Sequence, residues 1–366
     1  MGKKTIISIV GVILALAIIA GVGLVYKEKQ EKAETTEQSS VTIEKETIQT
    51  TTQPTTQRPS VELKSDLVKK YKSIELIRAS WGDSKGEVGL SEKIPEAGGP
   101  YGPESFDVDE KGNIYLLDTR NMRVIKYDQN GKYLYSFSFT GGATQDILVK
   151  DNLLYILNLT NFGILTYKTT GEFVNRHRLP NQAIQLHARK GPIVGIDFDN
   201  ANNLMLETAN QKFYRLTGEG IEYAYQGKKD RNREVYYLVR KLNNREGVIE
   251  ILRSDESELK TIKFSAPPSG LGSLDIIGTD NFGMIYLKME LTWPKSGYIV
   301  NKYDSGGVLI STIDLLQPLK QIPFYTPISP YRDIRVNEKG DIYMLYTTQN
   351  HVGIMKYVLD NEADEM

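Results

Sequence analysis

The chain has 366 residues, of which 40% are hydrophobic and 25% charged, and its 45 basic residues nearly cancel 46 acidic ones. That length suits one large domain with appendages, and the charge balance leaves no global field to attract nucleic acid. There is no cysteine and there are only three histidines, His177, His187 and His351. Disulfides, thiolate metal sites and cysteine nucleophiles are thereby excluded, and a three-histidine metal site would need every imidazole in the chain. With 22 Tyr, 10 Phe, 2 Trp and 31 Gly, the composition leans towards half-buried strands and tight turns, an all-β chain.

After the short start 1–4 comes an uncharged apolar run, residues 5–26, TIISIVGVILALAIIAGVGLVY. As a helix it would reach roughly 33 Å, enough for a bilayer core of about 30 Å. Lys3 and Lys4 precede it, which favours a cytoplasmic N-terminus and an extracytoplasmic remainder. A cleaved signal peptide is the rival reading; against it stand the length of the run and the poor cleavage site at Leu24, Val25 and Tyr26. Acylation at cysteine is excluded, and Ile6 does not suit myristoylation.

Residues 27–60 are dominated by Thr, Gln, Glu, Lys and Ser. Such a segment cannot bury enough apolar surface to offset its ordering entropy, so a flexible polar stalk is expected, spanning on the order of 30–35 Å.

The expected propeller occupies 61–360, followed by an acidic tail, 361–366. Its signature is a repeat. The segment GNIYLLD (112–118) returns as DNLLYILN (151–158), NNLMLET (202–208), FGMIYLK (282–288) and GDIYMLY (340–346). Tyr115, Tyr155, Met205, Tyr286 and Tyr343 are taken as equivalent; the double-length gap between Met205 and Tyr286 hides one further unit, which makes six. A second strand follows each first one, with a glycine four residues after its end: Tyr127 and Gly131, Tyr167 and Gly171, Leu216 and Gly220, Tyr303 and Gly307. The hidden unit, near 234–264, shows no evident innermost strand. Four short antiparallel strands per unit form the blade of a β-propeller. The last unit lacks its fourth strand, and the unpartnered segment SIELIRA (73–79) is expected to supply it and close the ring.

The first unit resembles the NHL repeat of six-bladed propellers, through Trp81-Gly82, Pro103, Asp118, Asn121 with Arg123, and Gly131-Lys132. The match is partial in the other units and faint in the fourth. The resemblance implies the fold firmly and the function weakly, since relatives bind proteins, peptides, carbohydrates or RNA and a few are metal-dependent lyases or lactonases.

Candidate contact residues come from the loops on the face of the blade-to-blade connections. Asp118, Arg120, Asn121 and Arg123 form the first such loop, where they either meet a ligand or brace neighbouring blades. The corresponding loop of the fifth unit is lengthened and carries Trp293 and Lys295; the connection to the sixth carries Phe324, Tyr325 and Tyr331 among prolines; His351 ends the sixth-unit loop. Exposed aromatics of this kind either anchor a partner or pack back over the channel mouth. No nucleophile elbow, HExxH, phosphate loop or calcium loop is present, and the string Asp197-Phe198-Asp199-Asn200 suits bonding within a turn. The expected function is a membrane-anchored module that binds a protein, peptide or carbohydrate partner, with no cofactor and no nucleic acid. The alternative is a lactonase-like hydrolase or lyase with a divalent ion in the central channel.

Overall fold

The computed structural model describes residues 71–91, 102–142, 144–189, 191–266, 269–292, 297–315 and 332–360, all within the unit Leu63–Met366. The apolar run 5–26, the stalk 27–60, the tail 361–366 and Trp293, Lys295, Phe324, Tyr325 and Tyr331 lie outside them. Among the described residues no helix is long and apolar enough to cross a membrane.

Six four-stranded antiparallel sheets form, each in chain order from the inside outward except where the ring closes. Blade 1 holds β2 (Ser105–Val108), β3 (Ile114–Asp118), β4 (Arg123–Tyr127) and β5 (Tyr133–Ser138). Blade 2 holds β6 (Thr144–Lys150), β7 (Leu153–Asn158), β8 (Gly163–Lys168) and β9 (Phe173–Arg178). Blade 3 follows with β10 (Ile193–Phe198), β11 (Leu204–Thr208), β12 (Lys212–Leu216) and β13 (Ile221–Gln226). Blade 4 is β14 (Lys228–Lys229), β15 (Tyr236–Lys241), β16 (Glu246–Leu252) and β17 (Glu258–Ser265). Blade 5 is β18 (Leu271–Thr279), β19 (Ile285–Leu291), β20 (Gly297–Tyr303) and β21 (Leu309–Asp314). Blade 6 combines β22 (Ile334–Val336), β23 (Ile342–Thr347) and β24 (His351–Leu359) with β1 (Tyr71–Ser80) from the other end of the sequence. The pairing of β1 with β24 is antiparallel, from Tyr71 opposite Leu359 to Ser80 opposite His351. The expected closure is therefore present.

The middle strands are buried on both faces, which is why they read as unbroken apolar runs; β3 and β23 have no exposed residue. Their side chains fill six apolar clusters, one in each seam between neighbouring blades. Phe106 and Leu116 meet Ile77 and Leu345 between blades 1 and 6, and Tyr286 and Val300 meet Ile334 and Met355 between blades 5 and 6. The same arrangement joins blades 1 and 2, 2 and 3, 3 and 4, and 4 and 5. A ring of seams with no gap makes each blade's stability depend on both neighbours.

The unit hidden in the sequence is blade 4. Its second-strand aromatic is Tyr237, whose hydroxyl donates to Asp230 at 2.8 Å, as Tyr286 donates to Asp280 at 2.7 Å. Its innermost strand has only two residues, Lys228 and Lys229, too short and too polar to register as a strand. Its outer turn lacks the marker glycine: Glu256 takes φ 63 where Gly131 and Gly307 take 80 and 84. Blade 3 also departs from the expected turn, since Gly220 is not among the left-handed residues and Thr217 N–H bonds the Gly220 carbonyl instead. A short helix α1 (Asn181–Arg189), not anticipated, fills the connection between blades 2 and 3 and buries Ala183 and Leu186.

Candidate functional site

The antiparallel order within each blade puts the loops between second and third strands at the same end as the blade-to-blade connections. At that end Asp118 is fully buried. Its Oδ1 accepts the Gly89 N–H at 3.0 Å, and its Oδ2 accepts from Asn121 Nδ2 at 2.9 Å and Arg123 Nε at 2.8 Å. Asn121 in turn donates to the Gly82 carbonyl at 2.9 Å, and Arg123 to the carbonyls of Asp83 and Glu87 at 2.9 and 2.7 Å. These three side chains tie the first loop to the segment entering blade 1. Blade 2 repeats the device: Asn158 and Asn161 both donate to the Gly141 carbonyl, at 2.8 and 2.9 Å. Arg120 is exposed beside them, with no hydrogen bond or ion pair to another described residue. His351 is half-buried in the closing seam. Its Nδ1 lies 2.9 Å from Thr348 Oγ1, and its Nε2 lies 3.4 Å from the Tyr346 hydroxyl, which also donates to Glu75. Burial, assisted by Arg78, lowers its pKa.

The turns at the opposite end repeat a different unit. Asp109, Asp199 and Asp280 each accept, through Oδ1, the N–H groups two and four residues on. Asp199 thus bonds within its turn as expected, whereas Asp197 accepts the Phe198 N–H at 2.9 Å through Oδ1 and Lys228 Nζ at 2.6 Å through Oδ2. A cleft of about 300 Å³ between blades 3 and 4 is lined by Asp199, Arg215, Tyr225, Lys229, Glu234 and Tyr236.

The axis is where charge concentrates. The innermost strands place Asp107, Asp197, Lys228 and Arg335 opposite the second-strand positions Tyr115, Met205, Tyr237 and Tyr343. These four stand at equivalent heights in blades 1, 3, 4 and 6. Arg335 donates through Nε to the Phe106 carbonyl at 2.8 Å and through Nη2 to Asp146 at 3.1 Å and the Ile147 carbonyl at 2.9 Å. Arg332 reaches Asp146 at 3.3 Å, the Ile196 carbonyl at 3.2 Å and Glu207. Gly195 admits it: a Cβ there would stand 2.4 Å from Arg332 Nη2. Lys228 pairs with Asp197 at 2.6 Å and with Glu207 at 3.6 Å, and Lys288 with Asp333 at 2.6 Å. One ion-pair web consequently joins blades 1, 2, 3, 4 and 6, and a second joins 5 to 6.

The local fields follow. Burial opposes ionisation of Asp197, but Lys228 and then Arg332 overcome it and hold its pKa below the usual carboxylate range. Burial pushes Asp107 up against the pull of Arg335. Burial also raises Asp275 to about 6, with Glu207 adding to the effect and Lys228, Lys288 and Arg332 opposing it. Glu104, just before β2, is raised to about 7 by burial alone. Among the described residues no three or more His, Asp or Glu side chains are grouped to hold a metal ion, and His177, His187 and His351 sit apart on β9, α1 and β24.

Sequence reasoning missed this web, although a signal was present. The contributing inner strands SFDV, TQDILVK and IVGIDF each carry one carboxylate next to large apolar residues. Such a charge has to be matched from a neighbouring blade or meet water in the lumen.

No family model matches the chain, and no curated protein matches it. Solved structures do. A virginiamycin B lyase from Staphylococcus aureus is 13% identical at a TM-score of 0.40, over 80% of this chain and 89% of that one. A luciferin-regenerating enzyme is 13% identical at 0.44, over 74% and 94%. BamB from Moraxella catarrhalis is 11% identical at 0.40, over 80% and 97%.

Proposed function

We propose that this chain is a membrane-anchored, NHL-like propeller that displays a binding or scaffolding surface outside the cytoplasm, for a protein, peptide or carbohydrate partner. The observation that carries this reading is the axial web. Arg332 and Arg335 extend across the lumen and engage Asp107, Asp146 and Glu207, so these carboxylates act as internal ties. Chemistry that needs several free carboxylates around one reacting group has little to draw on there. A rigid ring with its axis so braced suits recognition through the loops at its ends. The apolar run 5–26 and the polar stalk 27–60 support display at a membrane.

The experiment is in-cell crosslinking of the full-length protein, followed by comparison with the double variant Trp293→Ala, Tyr325→Ala. Loss of a discrete crosslinked species in the variant is expected; an unchanged crosslinking pattern would overturn the choice of surface. Metal content of the same preparation separates this reading from the lactonase-like alternative, which requires a stoichiometric divalent ion.

A further inference from the structure

The axial web leaves one carboxylate over. Asp275 on β18 has no hydrogen-bond or ion-pair partner among the described residues, and its side chain is exposed. It nonetheless feels the charges of Glu207, Lys228, Lys288 and Arg332, which places it on the axial side of its blade. Its cross-strand neighbour is Lys288, yet the Lys288 ammonium turns away to Asp333, at 2.6 and 2.8 Å from its two oxygens. Lys228 is held by Asp197 and Glu207, and Arg332 by Asp146 and Glu207. Every cation around Asp275 is thus committed to another carboxylate, and Asp275 is the charge left unmatched.

We infer that the lumen receives one organic cation, an ammonium or guanidinium group, with Asp275 as its acceptor. An anion is disfavoured because the surrounding cations already have partners. A divalent metal is disfavoured because it needs several oxygen ligands converging, and among the described residues no such group of three exists. A single unpaired carboxylate instead suits N–H donors, which form charge-assisted bonds to it. The inference meets the binding reading at one point, namely that the cation is a lysine or arginine side chain of the partner. The site itself is testable without any partner.

The test uses full-length protein in detergent with ¹³Cγ-labelled aspartate, the Asp275 signal being identified as the one lost in Asp275→Asn. The probes are n-butylammonium and Nα-acetyl-lysine amide, with choline, potassium and the Nε-acetylated lysine amide as controls at matched ionic strength. Saturable movement of the Asp275 carboxyl signal with both ammonium probes, and not with the controls, is expected. Because Asp275 faces Glu207, Lys228, Lys288 and Arg332, the movement is expected to fade as pH falls below about 6, where Asp275 takes up a proton. Asp275→Glu is expected to keep saturable stabilisation by n-butylammonium in thermal unfolding, and Asp275→Asn to lose it. Tighter binding of the lysine amide than of n-butylammonium assigns the cation to a polypeptide; equal binding assigns it to a free amine. A signal that no probe moves, or that choline or potassium moves equally, overturns the site. Failure here leaves the crosslinking result standing, and loss of the crosslink leaves this titration standing, so the two readings fail separately.

Discussion

Oδ1 of Asp146 accepts from Arg335 Nη2 at 3.1 Å and from Ser105 Oγ at 2.8 Å, so one carboxylate oxygen fixes blade 2 to blades 6 and 1 together. The other oxygen accepts the Ile196 N–H of blade 3 at 3.0 Å. Asp107 does the same on a smaller scale, taking the Val149 N–H at 2.8 Å. Three inner strands are short, β14 with two residues, β22 with three and β2 with four, and carry few ladder bonds of their own. Side-chain bonds from one inner strand to the next blade's backbone supply what the ladders cannot.

Removing one member of such a buried pair leaves an uncompensated charge. Arg335→Met should therefore cost about 3–5 kcal/mol. The double variant Asp146→Asn, Arg335→Met should cost less than the two single changes added together, because the groups share one interaction. Urea unfolding of the propeller, both single variants and the double variant measures this; strict additivity would show that the pair is not coupled.

Gly131 tests the contact between blade 1 and the closing strand. Its φ is 80, and a Cβ there would stand 1.8 Å from the carbonyl oxygen of Leu76 on β1. Left-handed strain and a backbone clash combine, and neither atom belongs to a flexible side chain. Gly131→Ala should lower the unfolding midpoint well beyond the roughly 1 kcal/mol that helix or strand propensity alone could explain. Gly218→Ala is the control, since nothing lies within 4 Å of its added Cβ.

The first loop separates ties from contacts. Asp118→Ala removes the acceptor of Arg123 Nε, Asn121 Nδ2 and the buried Gly89 N–H, and should cost about 3 kcal/mol. Arg120→Ala removes an exposed side chain and should change stability by no more than about 0.5 kcal/mol. If Arg120 meets the partner, its replacement weakens crosslinking without moving the unfolding midpoint, and that combination is the expected one.

What the sequence displayed was the seam-filling layer. Second and third strands are largely buried, so their apolar runs and closing turns repeat visibly, and Tyr115, Tyr286 and Tyr343 recur at equivalent places in the repeat. The closing strand was legible because Ile74, Ile77 and Ala79 form a strand pattern with no neighbour in sequence. Blade 4 was obscured for a local reason: Glu256 holds the left-handed turn position through backbone geometry alone, and Lys228 lies on the axis because Asp197 is there to meet it. The axial web was illegible because it joins residues as far apart as Asp107 and Arg335, and no short-range spacing encodes that pairing. In the sequence Asp118 and Arg123 read as one loop, but only their bonds to Asp83, Gly89 and Glu87 show what they hold.

Ring closure by β1 makes an asymmetric prediction about truncation. Starting the chain at residue 61 should leave the unfolding midpoint of the propeller unchanged. Starting it at residue 81 removes the partner of β24 and the Ile77 and Ala79 contribution to the seam between blades 6 and 1. The shorter chain should expose a long unpaired edge and aggregate, which size-exclusion chromatography would report. A soluble, cooperatively unfolding product would mean that β1 is dispensable.

Glu104 gives the propeller a pH dependence whose sign is fixed. Burial alone raises its carboxyl from 4.5 to about 7, so the folded chain keeps a proton that the unfolded chain has released between these values. The stabilisation belongs to the protonated form, is complete below about 4.5, and is lost as pH rises through about 7. Asp275 acts in the same direction up to about 6, whereas Asp197, whose pKa is lowered, has given its full contribution above about 4. His351 opposes the trend near 6.5, because its folded form sheds its proton more easily than the unfolded one. Comparing Glu104→Gln with the parent removes these shared contributions. The variant should match the parent near pH 4.5 and exceed it at pH 7.5 by at most about 3 kcal/mol, the free energy of the full shift. A difference that stays constant across that range would mean that Glu104 is solvated in the folded protein and ionises normally.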